Sequence, residues 1–224
     1  MEQQFAMIRE CLCHPPSARV WQQLMACFAQ WPAGEEHHLA ISYAEQHLAH
    51  WPDELRISHA IQTDHPGWPL VRNLKLSKNF RVFCSLSRVG KRFENITHIS
   101  GNLGGSHLKN LGELPKLTHV GLFPKFHSAS EMTSLNSLKS AQGITHLHLQ
   151  IQRRNLAFLA ELPKLQELRI IENALVRDLR VLHKLKQLLR LHIINCHRLN
   201  VQPSKSRMET PADLAAYLER LWER

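Results

Sequence analysis

The feature that most constrains this chain is an apolar triplet that returns six times between residues 71 and 193. In each copy the second apolar residue follows the first by three positions, and the third follows by two more. The copies are Val71-Leu74-Leu76, Ile96-Ile99 (with Gly101 in the third place), Leu117-Val120-Leu122, Ile144-Leu147-Leu149, Leu165-Leu168-Ile170 and Leu188-Leu191-Ile193. Successive copies start 25, 21, 27, 21 and 23 residues apart. A period of about 20 to 29 residues predicts stacked repeats, each contributing one short strand to a solenoid.

Two copies extend into a longer motif that identifies the type of repeat. The stretch Leu165-Gln-Glu-Leu168-Arg-Ile170-Ile-Glu-Asn173-Ala-Leu175 follows the pattern L-x-x-L-x-L-x-x-N-x-L, and the copy from Leu188 to Leu199 has Cys196 in the Asn place. The phrase Glu-Leu-Pro-Lys-Leu also returns, ending once at Leu117 and once at Leu165. On these residues the region 69–201 resembles the leucine-rich-repeat family, with short irregular repeats typical of a bacterial source.

The resemblance implies an α/β solenoid of about six parallel-strand repeats. It also implies that the Asn or Cys after a strand hydrogen-bonds the backbone of the turn. Asn79 suits that role in the first copy, whereas Gly104, Lys125 and Gln152 stand in its place in the next three, so irregular turns are expected there.

Segments on either side of the repeats are predicted to be helical. Ser17 is a suitable N-cap for a helix from about Ala18 to Gln30, and a second helix is expected from about Gly34 to His50. Each is stopped by a Trp-Pro pair, because proline disfavours helical backbone in the residue before it. Thr210-Pro211 begins a third helix. We therefore predict a helical N-terminal cap over 1–68, the repeats over 69–201 and a capping helix within 202–224.

Side chains alternate across a strand, so the residues between the triplet positions face outward and align in columns when parallel strands stack. The first column reads Asn73, His98, His119, His146, Glu167, Arg190, and the second Lys75, Ser100, Gly121, His148, Arg169, His192. A third contains Ser77, Asn102, Phe123, Gln150, Ile171 and Ile194. In the family resembled this face is concave and binds partners. The predicted partner-binding residues are Lys75, His98, His119, Phe123, His146, His148, Glu167, Arg169, Ile171, Arg190 and His192.

The histidines of this face leave three interpretations open. They recur in the phrases Ile96-Thr-His, Leu117-Thr-His and Ile144-Thr-His, so they can reflect repeat duplication on a half-exposed sheet. They can line a partner-binding face that gains positive charge on acidification. They can also ligate a metal, although no carboxylate or Cys is clearly placed to complete a shell. No metal or other cofactor is predicted.

The charge of the chain is unevenly distributed. Residues 1–68 contain 3 Lys and Arg against 8 Asp and Glu, whereas residues 69–204 contain 21 against 7. A basic repeat region favours an acidic partner. We expect the partner to be an acidic protein, and the chain to act on it as an inhibitor of the immunity-protein type or as an adaptor. The alternative is that the chain binds nucleic acid through basic edges such as Lys91-Arg92 and Arg153-Arg154.

Several other classes of protein are disfavoured by the sequence. There is no apolar run long enough to span a membrane and no secretory signal, and five scattered cysteines do not suggest a disulfide framework, so a cytoplasmic protein is expected. Cys11-Leu-Cys13-His14 lacks a second Cys/His pair at zinc-site spacing. Sequences that mark Ser hydrolases, zinc proteases or phosphate-binding loops are also missing. The prediction is a non-enzymatic protein-interaction module.

Overall fold

The computed structural model describes residues 2–31, 34–58, 65–76, 93–101, 111–123, 135 and 138–223. The chain divides into two compact units, Met1–Lys75 with Val89–His98 and Leu76–Arg88 with Ile99–Arg224. Seven strands follow one another in sequence order in a single sheet. They are β1 (Asn73–Leu76), β2 (His98–Gly101), β3 (His119–Leu122), β4 (His146–Leu149), β5 (Glu167–Ile171), β6 (Arg190–Ile194) and β7 (Arg207–Met208).

The first unit contains three α-helices among its described residues: α1 (Glu2–Cys13), α2 (Ala18–Ala29) and α3 (Glu35–His47). The predicted cap is confirmed, since Ser17 Oγ accepts a hydrogen bond from the backbone N–H of Val20 at 3.2 Å. The predicted second helix is shorter than expected, because a short 3₁₀ turn replaces its last residues, Leu48–His50. Helix α1 was not singled out from the sequence, and it packs against both α2 and α3.

A buried ion network also stabilises the first unit. The carboxylate of Glu45 on α3 pairs with Arg56 at 2.6 Å and with Arg72. The Arg56 guanidinium, of which only 3% is exposed, also donates to the carbonyl oxygens of Leu70 and Leu48. These bonds satisfy an arginine that would otherwise be costly to bury. In the same unit the Trp21 indole N–H donates to the carbonyl of Ile57 at 2.8 Å.

The second unit contains the regular part of the solenoid. Strands β3, β4, β5 and β6 pair in parallel, and β7 adds to β6 in the antiparallel direction. Short 3₁₀ helices precede strands of this unit, among them Leu111–Glu113, Ala157–Glu161 and Arg180–Lys184. The triplet side chains are buried; Leu168, Ile170 and Leu191 have no exposed surface. These parallel strands in sequence order confirm the predicted α/β solenoid fold for this unit.

The signature Asn and Cys occupy the turn positions that the resemblance implied. Asn173 is fully buried, and its Oδ1 accepts hydrogen bonds from the backbone N–H groups of Arg153, Leu175 and Val176, each at 3.1 Å. Cys196 Sγ donates to the carbonyl of Ile194 at 3.5 Å. Gln152 also hydrogen-bonds the backbone at its turn. Its Oε1 accepts from the N–H of Ala174, and its Nε2 donates to the carbonyl of Glu172. Asn79, Gly104 and Lys125 lie outside the described residues.

The helix predicted to begin at Thr210-Pro211 is present as α4 (Pro211–Trp222). Thr210 Oγ1 caps it by accepting from the N–H of Asp213 at 3.2 Å. The helix packs against Arg180–Lys184, β6 and β7, and Tyr217 donates its hydroxyl proton to the carbonyl of Val201 at 3.0 Å. Among the described residues, no helix is sufficiently long and apolar to span a bilayer. The division at residues 68 and 201 stays a prediction.

Candidate protein-binding face

The register of the parallel strands aligns the outward residues of the second unit as predicted. His119, His146, Glu167 and Arg190 are neighbours in one row, and Gly121, His148, Arg169 and His192 in the next. We call these rows the first and second columns. The second column extends by one residue that the repeat pattern did not identify, Arg207 on β7, which pairs with His192.

Glu167 is the centre of a charged cluster on the first column. Its Oε1 accepts a hydrogen bond from Arg169 Nε at 2.7 Å, and its Oε2 forms an ion pair with Arg190 Nη2 at 2.8 Å. The two guanidinium groups cover the carboxylate, so 8% of the Glu167 side chain is exposed against 47% and 49% of the arginine side chains. The sequence predicted an outward-facing Glu167, whereas the structure buries it beneath its two partners.

Ionisation of Glu167 follows from these contacts. Burial opposes the charged form, but the hydrogen bond from Arg169 and the charges of Arg169, Arg190 and His146 hold the pKa of Glu167 below the ordinary glutamate value. The cluster of one carboxylate and two guanidinium groups therefore has a net positive charge at neutral pH.

His146 joins the cluster through its imidazole. Its Nδ1 lies 2.9 Å from Thr145 Oγ1, which is also 3.3 Å from the carbonyl oxygen of Thr118. Nε2 of the ring lies 3.4 Å from Arg190 Nη2 and 3.9 Å from Glu167 Oε2. On its other side the ring stacks on His119 with centroids 4.0 Å apart.

The histidines of the second column are kept neutral by their surroundings. Burial, and next the charge of Arg169, lowers the pKa of both His148 and His192 below the usual 6.5. His192 is buried, and its Nε2 lies 3.7 Å from Glu209 Oε1. These lowered pKa values oppose the interpretation in which His148 and His192 become charged on mild acidification.

The Phe123 ring lies over Gly121, the position of the second column that has no side chain. A Cβ on Gly121 would approach the Phe123 ring to 3.0 Å, so the glycine makes room for the aromatic side chain. The ring meets His148 edge to face, with centroids 4.7 Å apart. Ile171 and Ile194 pair across β5 and β6 and are half-buried. These three residues place apolar surface beside the charged cluster.

Two predicted residues, Lys75 and His98, belong to the first unit. Lys75 is exposed. His98 Nδ1 lies 3.8 Å from Asp53 Oδ2, and burial lowers the pKa of His98 despite the neighbouring carboxylates of Glu54 and Asp53. Two members of the third column, Ser77 and Asn102, are outside the described residues.

In the described part of the chain, no three His, Cys, Asp or Glu side chains come together as a ligand set for a metal ion. The structure also identifies Glu209, which faces His192 from the segment after β7. Its signal in the sequence was weak, because residues 202–209 lie beyond the last triplet and carry no repeat pattern.

Comparisons with known proteins find similarity at the level of structure. Neither a protein-family model nor a curated protein matches the chain. A crystal structure of internalin C2 from Listeria monocytogenes is similar with 14% sequence identity and a TM-score of 0.42, over 85% of this chain and 81% of that chain.

Proposed function

We propose that this chain is a non-enzymatic protein-interaction module that binds an acidic protein partner through its strand face. The site comprises the first and second columns of the second unit, with Phe123 and Ile171 as apolar neighbours. Lys75 and His98 stay predicted contacts on the first unit. The observation that carries the proposal is the Arg169–Glu167–Arg190 cluster, where two half-exposed arginines stand on adjacent strands. Arginine beside aromatic and aliphatic residues is the composition of energetic anchors in interfaces.

Within this proposal the chain acts on its partner either as an inhibitor of the immunity-protein type or as an adaptor. The proposed place of action is the cytoplasm. That location agrees with the state of the described cysteines, Cys11, Cys13, Cys27 and Cys196, which are free thiols. Cys84 is outside the described residues.

The test is affinity capture from the source cells with matched charge reversals. Arg190→Glu reverses the charge on the strand face, and Lys164→Glu makes the same change in the exposed loop before β5. We expect one stoichiometric protein to be retained by the wild type and by Lys164→Glu, and lost with Arg190→Glu and with His146→Glu. Thermal unfolding of each variant confirms that it is folded.

Two results contradict the proposal. Equal loss with both charge reversals would place binding outside the strand face. Recovery of nucleic acid alone, released by salt, would favour the alternative function, because phosphate contacts weaken steeply as counterions compete.

A further inference from the structure

The two arginines that hold Glu167 use only part of their donor capacity. A guanidinium has five N–H donors. Arg169 gives its Nε–H to Glu167, and Arg190 uses Nη2 for Glu167 and His146. Within the described residues, the remaining nitrogens of both side chains have no hydrogen-bond partner, and about half of each side chain is exposed.

Glu167 fixes these two side chains to each other. Its two oxygens bind one arginine each: Arg190 lies opposite Glu167 on β6, and Arg169 lies two residues after Glu167 on β5. A free arginine side chain samples many rotamers and loses that freedom when it binds a ligand. Here much of the ordering is done before any partner arrives.

We propose that Arg169 and Arg190, positioned by Glu167, form a clamp for a carboxylate side chain, an Asp or Glu, of the partner protein. This rests on the proposed function and names the group that the face recognises. The planar fork of donors on arginine matches the two oxygens of a carboxylate. The apolar side chains of Phe123 and Ile171 on neighbouring positions suit a protein partner.

The surroundings keep the clamp positive. The groups that face it are Glu167 and His146 on the first column and His148 and His192 on the second. Both second-column histidines favour the neutral form, and the single negative charge of Glu167 is exceeded by its two arginines. An incoming carboxylate would therefore meet a net attraction.

Glu167 supplies a test in which two explanations predict opposite signs. If only net charge matters, Glu167→Gln removes a negative charge from the face and tightens binding of an acidic ligand. If Glu167 positions the clamp, the same change releases both arginines and weakens binding. Glu172→Gln is the matched control. Glu172 is the exposed residue directly after β5, and its Oε2 accepts a hydrogen bond from Gln150 Nε2 at 2.7 Å rather than from either arginine.

The experiment measures binding of a fluorescein-labelled hexaglutamate peptide to the full chain by anisotropy at low salt. We expect Arg169→Gln and Arg190→Gln to weaken binding about tenfold, the scale of a lost charged pair. Arg190→Lys keeps the charge but loses the fork, and should weaken binding about threefold. Glu167→Gln should also lose about threefold from released side-chain order, whereas Glu172→Gln should bind equally or slightly more tightly.

The outcomes separate the clamp from the proposed function. Tighter binding by Glu167→Gln, equal to that of Glu172→Gln, would overturn the clamp and leave an acidic partner attracted by charge alone. Hexaglutamate could fail to bind while affinity capture still retains a protein that Arg190→Glu loses. That result would reject a carboxylate as the group recognised, but it would leave the proposed protein-interaction function standing. Stronger binding of a hexaphosphoserine peptide, lost with the same arginines, would reassign the clamp to phosphate. If the Glu167→Gln variant does not fold, the Arg190→Lys variant alone tests the clamp. Unchanged affinity of that variant for hexaglutamate would show that the paired donors of the guanidinium are not needed.

Discussion

The imidazole rings of His119 and His146 stack across β3 and β4, with ring centroids 4.0 Å apart and ring planes 13° from parallel. Each ring also contacts the hydroxyl of the threonine before it, at 2.9 Å from Nδ1. The repeated Thr-His phrase thus produces a repeated local arrangement, in which the threonine orients the ring and the strand spacing brings successive rings into contact.

This contact should stabilise the second unit measurably. A double-mutant cycle of His119→Ala and His146→Ala, followed by urea unfolding, should give a coupling free energy of about 0.5–1 kcal/mol, the scale of stacked aromatic pairs. The cycle His119→Ala with His192→Ala is the control, because two strands separate these residues. Strict additivity in the first cycle would show that the stack contributes nothing.

Stability should fall on mild acidification. The folded pKa values of His37, His98, His148 and His192 lie below 6.5, so the unfolded chain binds more protons than the folded chain once the pH drops below that value. The free energy of unfolding therefore has its full histidine contribution above pH 6.5 and loses it progressively as the pH falls toward the folded pKa values.

Urea unfolding across that range measures the slope. His192→Gln should flatten it, because glutamine fills a similar volume without titrating. His197→Gln changes an exposed histidine after β6 and serves as the control. A stability that is constant down to the range where carboxylates titrate would contradict neutral, buried histidines on the second column.

Asn173 should be the most sensitive turn residue. Its Oδ1 accepts from three backbone N–H groups, so Asn173→Ala leaves buried donors unsatisfied and should cost about 2–4 kcal/mol. Asn155→Ala removes a single exposed bond to the N–H of Ala157 and should cost about 0.5–1 kcal/mol. Chemical denaturation of both variants gives the comparison, and equal losses would refute the special role of the buried turn.

Glu45 should be essential to the first unit. Glu45→Gln leaves Arg56 buried without its counter-charge, a change that costs several kcal/mol in a dry interior. Because 38% of the Glu45 side chain is exposed, solvent screens the pair, and we expect a loss of about 2 kcal/mol. Glu10→Gln on the exposed side of α1 is the control. A loss below that of the control would show that the network is replaceable.

The sequence predicted the register of the strand face well, for a local reason. Side chains alternate along a strand, and parallel neighbours in a solenoid align equivalent positions, so the order His119, His146, Glu167, Arg190 could be read from the triplets alone. The caps at Ser17 and Thr210 were equally readable, because capping depends on residues within one turn of the helix start. Helix α1 was missed, since it begins without such a cap and its apolar pattern is weak.

What the triplets determined by themselves is a stack of short parallel strands and the residues that face outward from it. Tertiary structure decided how those residues behave. Glu167 is buried because arginines from two positions close over it, and the histidines of the second column are neutral because burial and Arg169 disfavour their charge. The physical reason is that periodicity is a property of each strand, whereas burial, ionisation and hydrogen bonding depend on side chains supplied by the neighbouring strands.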